Sequence, residues 1–116
     1  MTDYSQMSDR DIDALVLQKI YGNQASDKDI MRGWLRGDFK YTTNPSDAWP
    51  IIIENKIAII PDSADGEWVA FNEFTLYEGD WMFASDPERH VNGSNPLRAA
   101  MIVFLMMKDA ENAPAI

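Results

Sequence analysis

The sequence predicts an α+β fold in which a small antiparallel sheet of about three strands packs with two to four helices. Residues 99–107 would place apolar side chains around the whole circumference of a helix, so that helix must be buried on all sides. Residues 57–61 and 67–71 are short, rich in β-branched or aromatic residues and separated by turn formers, which is typical of a hairpin. A sheet covered by helices is the natural way to bury the long apolar C-terminal helix in the core.

Length and composition indicate one globular domain over residues 1–116. The chain has 116 residues, of which 46% are hydrophobic, and this is enough for one core. Its longest apolar run covers roughly 15 Å as a helix, about half of a bilayer core, so no membrane association is expected. The chain contains no cysteine, which excludes disulfides and thiolate chemistry, and its first residues do not resemble a signal peptide. We therefore expect a cytoplasmic protein.

The first helix is predicted over residues 8–21. Ser8 is a good N-cap, two aspartates follow in the first turn, and Gly22 is the expected left-handed stop. The 3.6-residue period predicts a single buried stripe. Its apolar members are Ile12, Leu15, Val16 and Ile20.

Residues 22–43 allow two interpretations. The stretch SDKDIMRGWLRG is either a short helix capped at Ser26 or an ordered loop, because Gly33 weakens the helix and Gly37 ends it. The alternation in DFKYT suggests a short edge strand after it. If the helix forms, its predicted buried side consists of Ile30, Met31, Trp34 and Leu35.

The stretch TNPSDAWPIIIENK predicts the next helix, with two candidate starts. Asn44 followed by Pro45 is one start, and Asp47 is the other. Pro50 would remove a backbone hydrogen bond, so we expect an irregular or kinked first turn. Three consecutive isoleucines are also compatible with a buried strand, but the capping residues favour the helix.

Two antiparallel pairs and a final helix are predicted after residue 56. The first pair is the hairpin of residues 57–61 and 67–71, with a loop of about five residues. A second pair is suggested at Phe74–Tyr77 and Trp81–Ala84, followed by a surface loop over residues 85–95. Asn95 and Pro96 then start the C-terminal helix by the same capping device as the preceding one.

No motif in the sequence predicts catalysis, a cofactor or a metal site. His90 is the single histidine and lies in the predicted surface loop, where a solvated side chain is the simplest interpretation. The DSADGEW segment lacks the spacing of a calcium loop, and no glycine loop suited to phosphate is present. We therefore expect a protein that is not an enzyme.

Arg98 is the one charge on the early turns of the apolar C-terminal helix. A cation at a helix N-terminus faces the wrong end of the dipole, so it needs an acidic partner. The predicted structural ion pair joins Arg98 to Asp47 or Glu54 of the preceding helix.

Three sequence blocks carry a family resemblance. DYSQMSD, NPSDAWPIIIENKIAI and NPLRAAMIVFLMM resemble, in that order, the NinX-like family of small proteins encoded in lambdoid phages and prophages. The resemblance implies a phage accessory protein acting in a bacterial cytoplasm, and it implies no particular activity. Genes of this family lie near replication and recombination functions. That neighbourhood suggests the alternative of an accessory factor or enzyme in phage DNA replication or recombination.

Charge is distributed unevenly along the chain. The formal net charge is −9, and residues 57–88 contain eight acids without a lysine or arginine. Such a region repels nucleic acid and attracts basic proteins, so we predict a small acidic protein-binding module whose partner is a basic host or phage protein. A simpler explanation is that the acids maintain solubility. The candidate partner-binding residues are Glu67, Glu73, Glu78 and Asp80.

A homodimer is also predicted. Three strands and two other helices are a small cover for residues 99–107, and a second copy is the commonest way to complete such a surface.

Overall fold

The computed structural model describes residues 3–72 and 90–111, and these residues form an α+β fold. The described residues contain four α-helices and one antiparallel three-stranded sheet of order β1-β2-β3, and two short 3₁₀ turns precede and follow the first helix. The described helices include none that is long and apolar enough to cross a membrane. In chain order the elements are α1 Asp9–Tyr21, α2 Lys28–Arg36, α3 Pro45–Glu54, β1 Ala58–Asp62, β2 Glu67–Phe71, β3 His90–Gly93 and α4 Pro96–Glu111.

Helix α1 begins and ends where its local signals predict. The Ser8 side chain accepts a hydrogen bond from the amide of Asp11, and Gly22 has a positive φ of 56°. The buried stripe is shifted from the predicted one, because Asp13 and Leu17 are buried whereas Ile20 is 42% exposed. Packing against α4, which the sequence pattern does not specify, selects this face.

Residues 28–36 do form a helix, and its N-cap is Asp27 rather than Ser26. Its orientation differs from the prediction, since Met31 and Leu35 are 45% and 80% exposed. The DFKYT segment forms no strand, because Phe39 adopts a positive φ of 63° and the chain turns there.

Helix α3 starts at Pro45 with Asn44 as its N-cap, which is the first of the two predicted starts. The Asn44 side chain accepts from the amide of Ser46, and the helix continues through Pro50. Ala48, Ile51 and Ile52 are buried, so the isoleucine run belongs to a helix and not to a strand.

The predicted hairpin is confirmed, and a strand that the sequence did not indicate completes the sheet. β1 pairs with β2 in antiparallel register, with Ala58 opposite Phe71. β3 lies within the predicted surface loop and pairs with β2, with Phe71 opposite His90. The suggested strands Phe74–Tyr77 and Trp81–Ala84 lie outside the described residues.

Helix α4 forms the centre of the core. Its residues Ala99–Leu105 are all buried, and they contact α1, α3 and the sheet. The other core side chains come from α1, α3, β2 and the connecting turns. The premise of the homodimer prediction therefore does not hold for this helix, because the chain itself encloses it.

Candidate functional site

The β1–β2 hairpin carries the acidic cluster that the sequence singled out. Asp62 ends β1, Glu67 begins β2, and the two residues face each other in the register. Asp65 lies in the turn between them. We call these three residues the acidic hairpin. Glu73, Glu78 and Asp80, the other predicted partner-binding residues, lie outside the described part of the chain.

Local backbone chemistry explains the two aspartates of the acidic hairpin. The Asp62 carboxylate accepts from the amide of Ala64, and the Asp65 carboxylate accepts from the amide of Glu67. Such side-chain turns are a common use of aspartate. Gly66 has a φ of 75°, a conformation that favours glycine at the last turn position. Among the hydrogen bonds of the described residues, the Glu67 carboxylate accepts none from a backbone amide of the turn.

Apolar side chains accompany these charges. Trp68 follows Glu67 and is 36% exposed, and Ile60 on β1 is 41% exposed. The strand alternation places Ile60 on the same face as Asp62 and Glu67, and Trp68 on the other. The tip of the sheet therefore combines carboxylates with accessible apolar surface, a composition suited to contact with another protein.

A groove of about 240 Å³ lies beside Glu67, between β3 and the start of α4. Asn92, Ser94 and Arg98 supply polar groups, and Ile102 forms part of the apolar lining. This volume is below the roughly 300–1,000 Å³ of typical small-molecule sites. Within the described residues, no group of three or more histidine or acidic side chains could hold a metal ion.

Arg98 forms an ion pair, but with a different partner from the predicted ones. Its Nη1 lies 2.8 Å from Oδ1 of Asp9, at the start of α1. Its Nη2 donates to the carbonyl oxygens of Met7, at 2.6 Å, and Tyr4, at 3.2 Å. The prediction of Asp47 or Glu54 was wrong because the N-terminal segment, and not α3, passes over the first turn of α4.

The two predicted partners have other positions. The Asp47 carboxylate accepts a hydrogen bond from the amide of Lys40, so it fixes the turn before α3. Glu54 is exposed at the C-terminal end of α3. His90 is exposed at the start of β3.

A buried polar contact that sequence reasoning missed joins three parts of the chain. Asp13 on α1 is 3% exposed and accepts from the amide of Thr42 at 2.8 Å. The Asn95 side chain donates to the Thr42 carbonyl at 2.8 Å, while its Oδ1 caps α4. Burial raises the pKa of Asp13, and the hydrogen bond from Thr42 and the charge of Arg10 oppose that rise.

Two exposed apolar pairs were also missed. Met31 and Leu35 lie one turn apart on α2, and Trp49 and Ile53 lie one turn apart on α3. Trp49 is 58% exposed and Ile53 is 57% exposed. The spacing of Ala48, Ile51 and Ile52 could have located the α3 pair. These three side chains already fill the inward face of the helix, so Trp49 and Ile53 must face outward.

Comparison with known proteins identifies the family. The family model described as Bacteriophage P22, NinX, matches residues 3–108. Neither the search of curated proteins nor the search of solved structures found a match. The matched range covers nearly the whole chain and includes every described helix and strand except the last three residues of α4. The chain therefore belongs to the NinX family of phage proteins.

Proposed function

We propose that this phage protein is an acidic protein-binding module, which uses the acidic hairpin to bind a basic surface of a host or phage protein in the host cytoplasm. The observation that carries the proposal is the like-charged pair Asp62 and Glu67, opposite each other at the end of the sheet. Asp65 adds a third carboxylate in the turn between them.

This arrangement costs stability. Like charges directly opposite each other on neighbouring strands are destabilising, by an amount of the order of a few tenths of a kcal/mol to 1 kcal/mol. Asp62 and Asp65 are useful to the turn as hydrogen-bond acceptors, but a neutral residue at position 67 would relieve the repulsion. A local violation of a folding rule is typical of positions that serve binding.

The surrounding sequence strengthens the negative field. Residues 57–88 contain no lysine or arginine to neutralise the hairpin. The field of exposed charges extends for about one Debye length, roughly 8 Å at physiological salt. Such a field accelerates encounter with basic proteins and repels phosphate backbones. Ile60, on the same face as Asp62 and Glu67, supplies apolar contact once the partner has docked.

The test compares two charge reversals of equal size. Glu67→Lys changes the acidic hairpin, whereas Glu111→Lys changes an exposed residue at the end of α4, far along the chain. Proteins captured from a phage-carrying host lysate are quantified at increasing salt for both variants and the wild type. We expect a basic protein that binds the wild type and the Glu111 variant, is lost from the Glu67 variant and dissociates as salt rises.

A second variant covers the remaining predicted residues. Replacing Glu67, Glu73, Glu78 and Asp80 together with lysine should leave the circular dichroism spectrum unchanged and abolish the same capture. Equal capture by all variants would mean that the acids serve solubility alone. Binding of the wild type to DNA at physiological salt would overturn the charge argument.

A further inference from the structure

The exposed side of α2 combines apolar and basic side chains. Met31 and Leu35 form its apolar pair, and Arg32 and Arg36 have side chains that are 73% and 69% exposed. At 100° per residue these positions, together with Lys28, share one side of the helix. We call this set the α2 face.

The orientation of α2 is fixed by its inward side. A Cβ at Gly33 would lie 2.8 Å from the Phe39 ring, so the backbone of α2 contacts that ring directly. The Arg10 guanidinium stacks on the Trp34 ring at 3.3 Å and donates to the Trp34 carbonyl at 2.8 Å. Because these contacts need this rotation of the helix, α2 cannot turn to bury Leu35 within its own chain.

The exposed side of α3 is apolar with an acidic flank. Trp49 and Ile53 form its apolar pair, and the exposed Glu54 lies on the adjoining side of the same helix. Buried Ala48, Ile51 and Ile52 fix this rotation of α3. We call Trp49, Ile53 and Glu54 the α3 face.

These two faces complement each other. Each presents an apolar pair spaced by four residues, the unit from which helix ridges pack into grooves. Cations flank the pair on α2, and the Glu54 carboxylate flanks the pair on α3. We propose that the α2 face of one copy of this chain packs against the α3 face of a second copy, with the arginines beside Glu54.

Buried area favours a reciprocal pairing. A stable interface buries about 800 Å² on each partner, which a single pair of apolar side chains cannot supply. A two-fold dimer would use both faces of both copies and would cover four large apolar side chains per chain. The arginines already contact Asp29 at 3.8 Å and Asp38 at 2.7 Å, but exposed ion pairs contribute little and can exchange partners. This contact goes beyond the proposed function, since it uses none of the acidic hairpin residues.

The experiment is sedimentation equilibrium of the purified full-length chain over a concentration series. The wild type is expected to form dimers, and Trp49→Ala to raise the dissociation constant by about tenfold or more. Arg32→Glu should have a similar effect, because it places a carboxylate opposite Glu54. The matched control Lys19→Glu changes the net charge equally on α1 and should dimerise like the wild type.

A mixing experiment identifies the contact itself. Arg32→Glu and Glu54→Lys should each dimerise weakly alone, because like charges then meet across the interface. An equimolar mixture should recover dimers, since Glu at position 32 of one copy meets Lys at position 54 of the other while the second contact remains native. A wild type that is monomeric throughout the series, or a mixture no tighter than its components, would overturn the proposal. Unchanged thermal melting of each variant, at a concentration where the wild type is monomeric, shows that the effect is on association.

Discussion

Helices α4 and α2 are both rich in apolar residues, yet they have opposite positions in the molecule. Residues Ala99–Leu105 of α4 are all buried, whereas Leu35 of α2 is 80% exposed. Apolar contacts with α1, α3 and the sheet hold α4 in the core. Polar and aromatic contacts from Arg10 fix α2, together with the close approach of Gly33 to Phe39. The difference indicates that stability is concentrated in α4, while α2 leaves apolar side chains exposed.

The largest expected effect separates the two helices directly. Met101→Asp should abolish folding, because burial of an unpaired carboxylate costs several kcal/mol, which is much of the stability of a small domain. Phe104→Asp should do the same. Leu35→Asp, the matched change on α2, should leave the melting temperature nearly unchanged at a concentration where the wild type is monomeric. Circular dichroism melts measure all three variants, and a folded Met101 variant would show that α4 is not the core helix.

The next effect concerns the attachment of the N-terminal segment to α4. Arg98→Ala should destabilise the protein by about 2–4 kcal/mol, because it removes the arginine donor from the carbonyls of Met7 and Tyr4 and removes the ion pair with Asp9. Urea unfolding measures this loss. Arg32→Ala on exposed α2 is the control, and it should cost less than about 0.5 kcal/mol. Equal costs would mean that the Arg98 contacts contribute little.

Asp13 gives a smaller effect with a defined pH dependence. Asp13→Ala should cost about 1–3 kcal/mol because the Thr42 amide loses its acceptor, whereas Asp13→Asn keeps an acceptor oxygen and should cost less. Burial raises the pKa of Asp13 above its ordinary 3.8, so the folded state holds this proton more tightly than the unfolded chain does. The resulting stabilisation is complete below pH 3.8 and is lost as the pH rises through the folded pKa.

The asparagine variant isolates that pH dependence. The difference in unfolding free energy between wild type and Asp13→Asn should favour the wild type most at low pH and decline as the pH increases. Urea titrations between pH 3 and 7 provide the measurement. A difference that is constant with pH would show that Asp13 titrates as it does in the unfolded chain.

The smallest effect is at the start of α4. Pro96→Ala should cost about 1 kcal/mol or less, because it mainly releases a constraint on the unfolded chain and the Asn95 cap remains. Asn95→Ala should cost more, since it removes the cap together with the hydrogen bond to the Thr42 carbonyl. A larger loss from Pro96→Ala than from Asn95→Ala would reverse the assigned roles.

Local signals were sufficient to predict part of this fold from the sequence. Ser8 and Gly22 bound α1, and the breakers around residues 57–71 define the hairpin, because each signal acts on its own neighbourhood. Strand β3 escaped prediction because HVNG has no strand pattern and is a strand only through pairing with β2. The exposed side of α2 was not predicted either. The rotation of this helix is set by contacts with Arg10 and Phe39, which lie in other parts of the chain.

The candidate site shows the same division. The position of Glu67 on the hairpin follows from the sequence, since turn and strand signals flank it. The partner of Arg98 does not, because Asp9 is 89 residues away and other acids fit the same electrostatic requirement. Asp13 was unrecognised for a related reason. Its partner is a backbone amide, a group that every residue except proline carries and that no side-chain pattern reveals.

Native-state hydrogen exchange tests the contrast between α4 and α2 most directly. At a protein concentration low enough to keep the chain monomeric, the amides of Met101–Leu105 should exchange only through global unfolding, with a free energy equal to that from urea. The amides of Arg32–Leu35 should exchange through a local opening of lower free energy, and Arg10→Ala should lower that free energy further. Equal protection of the two helices, or exchange of α4 below the global value, would contradict the account.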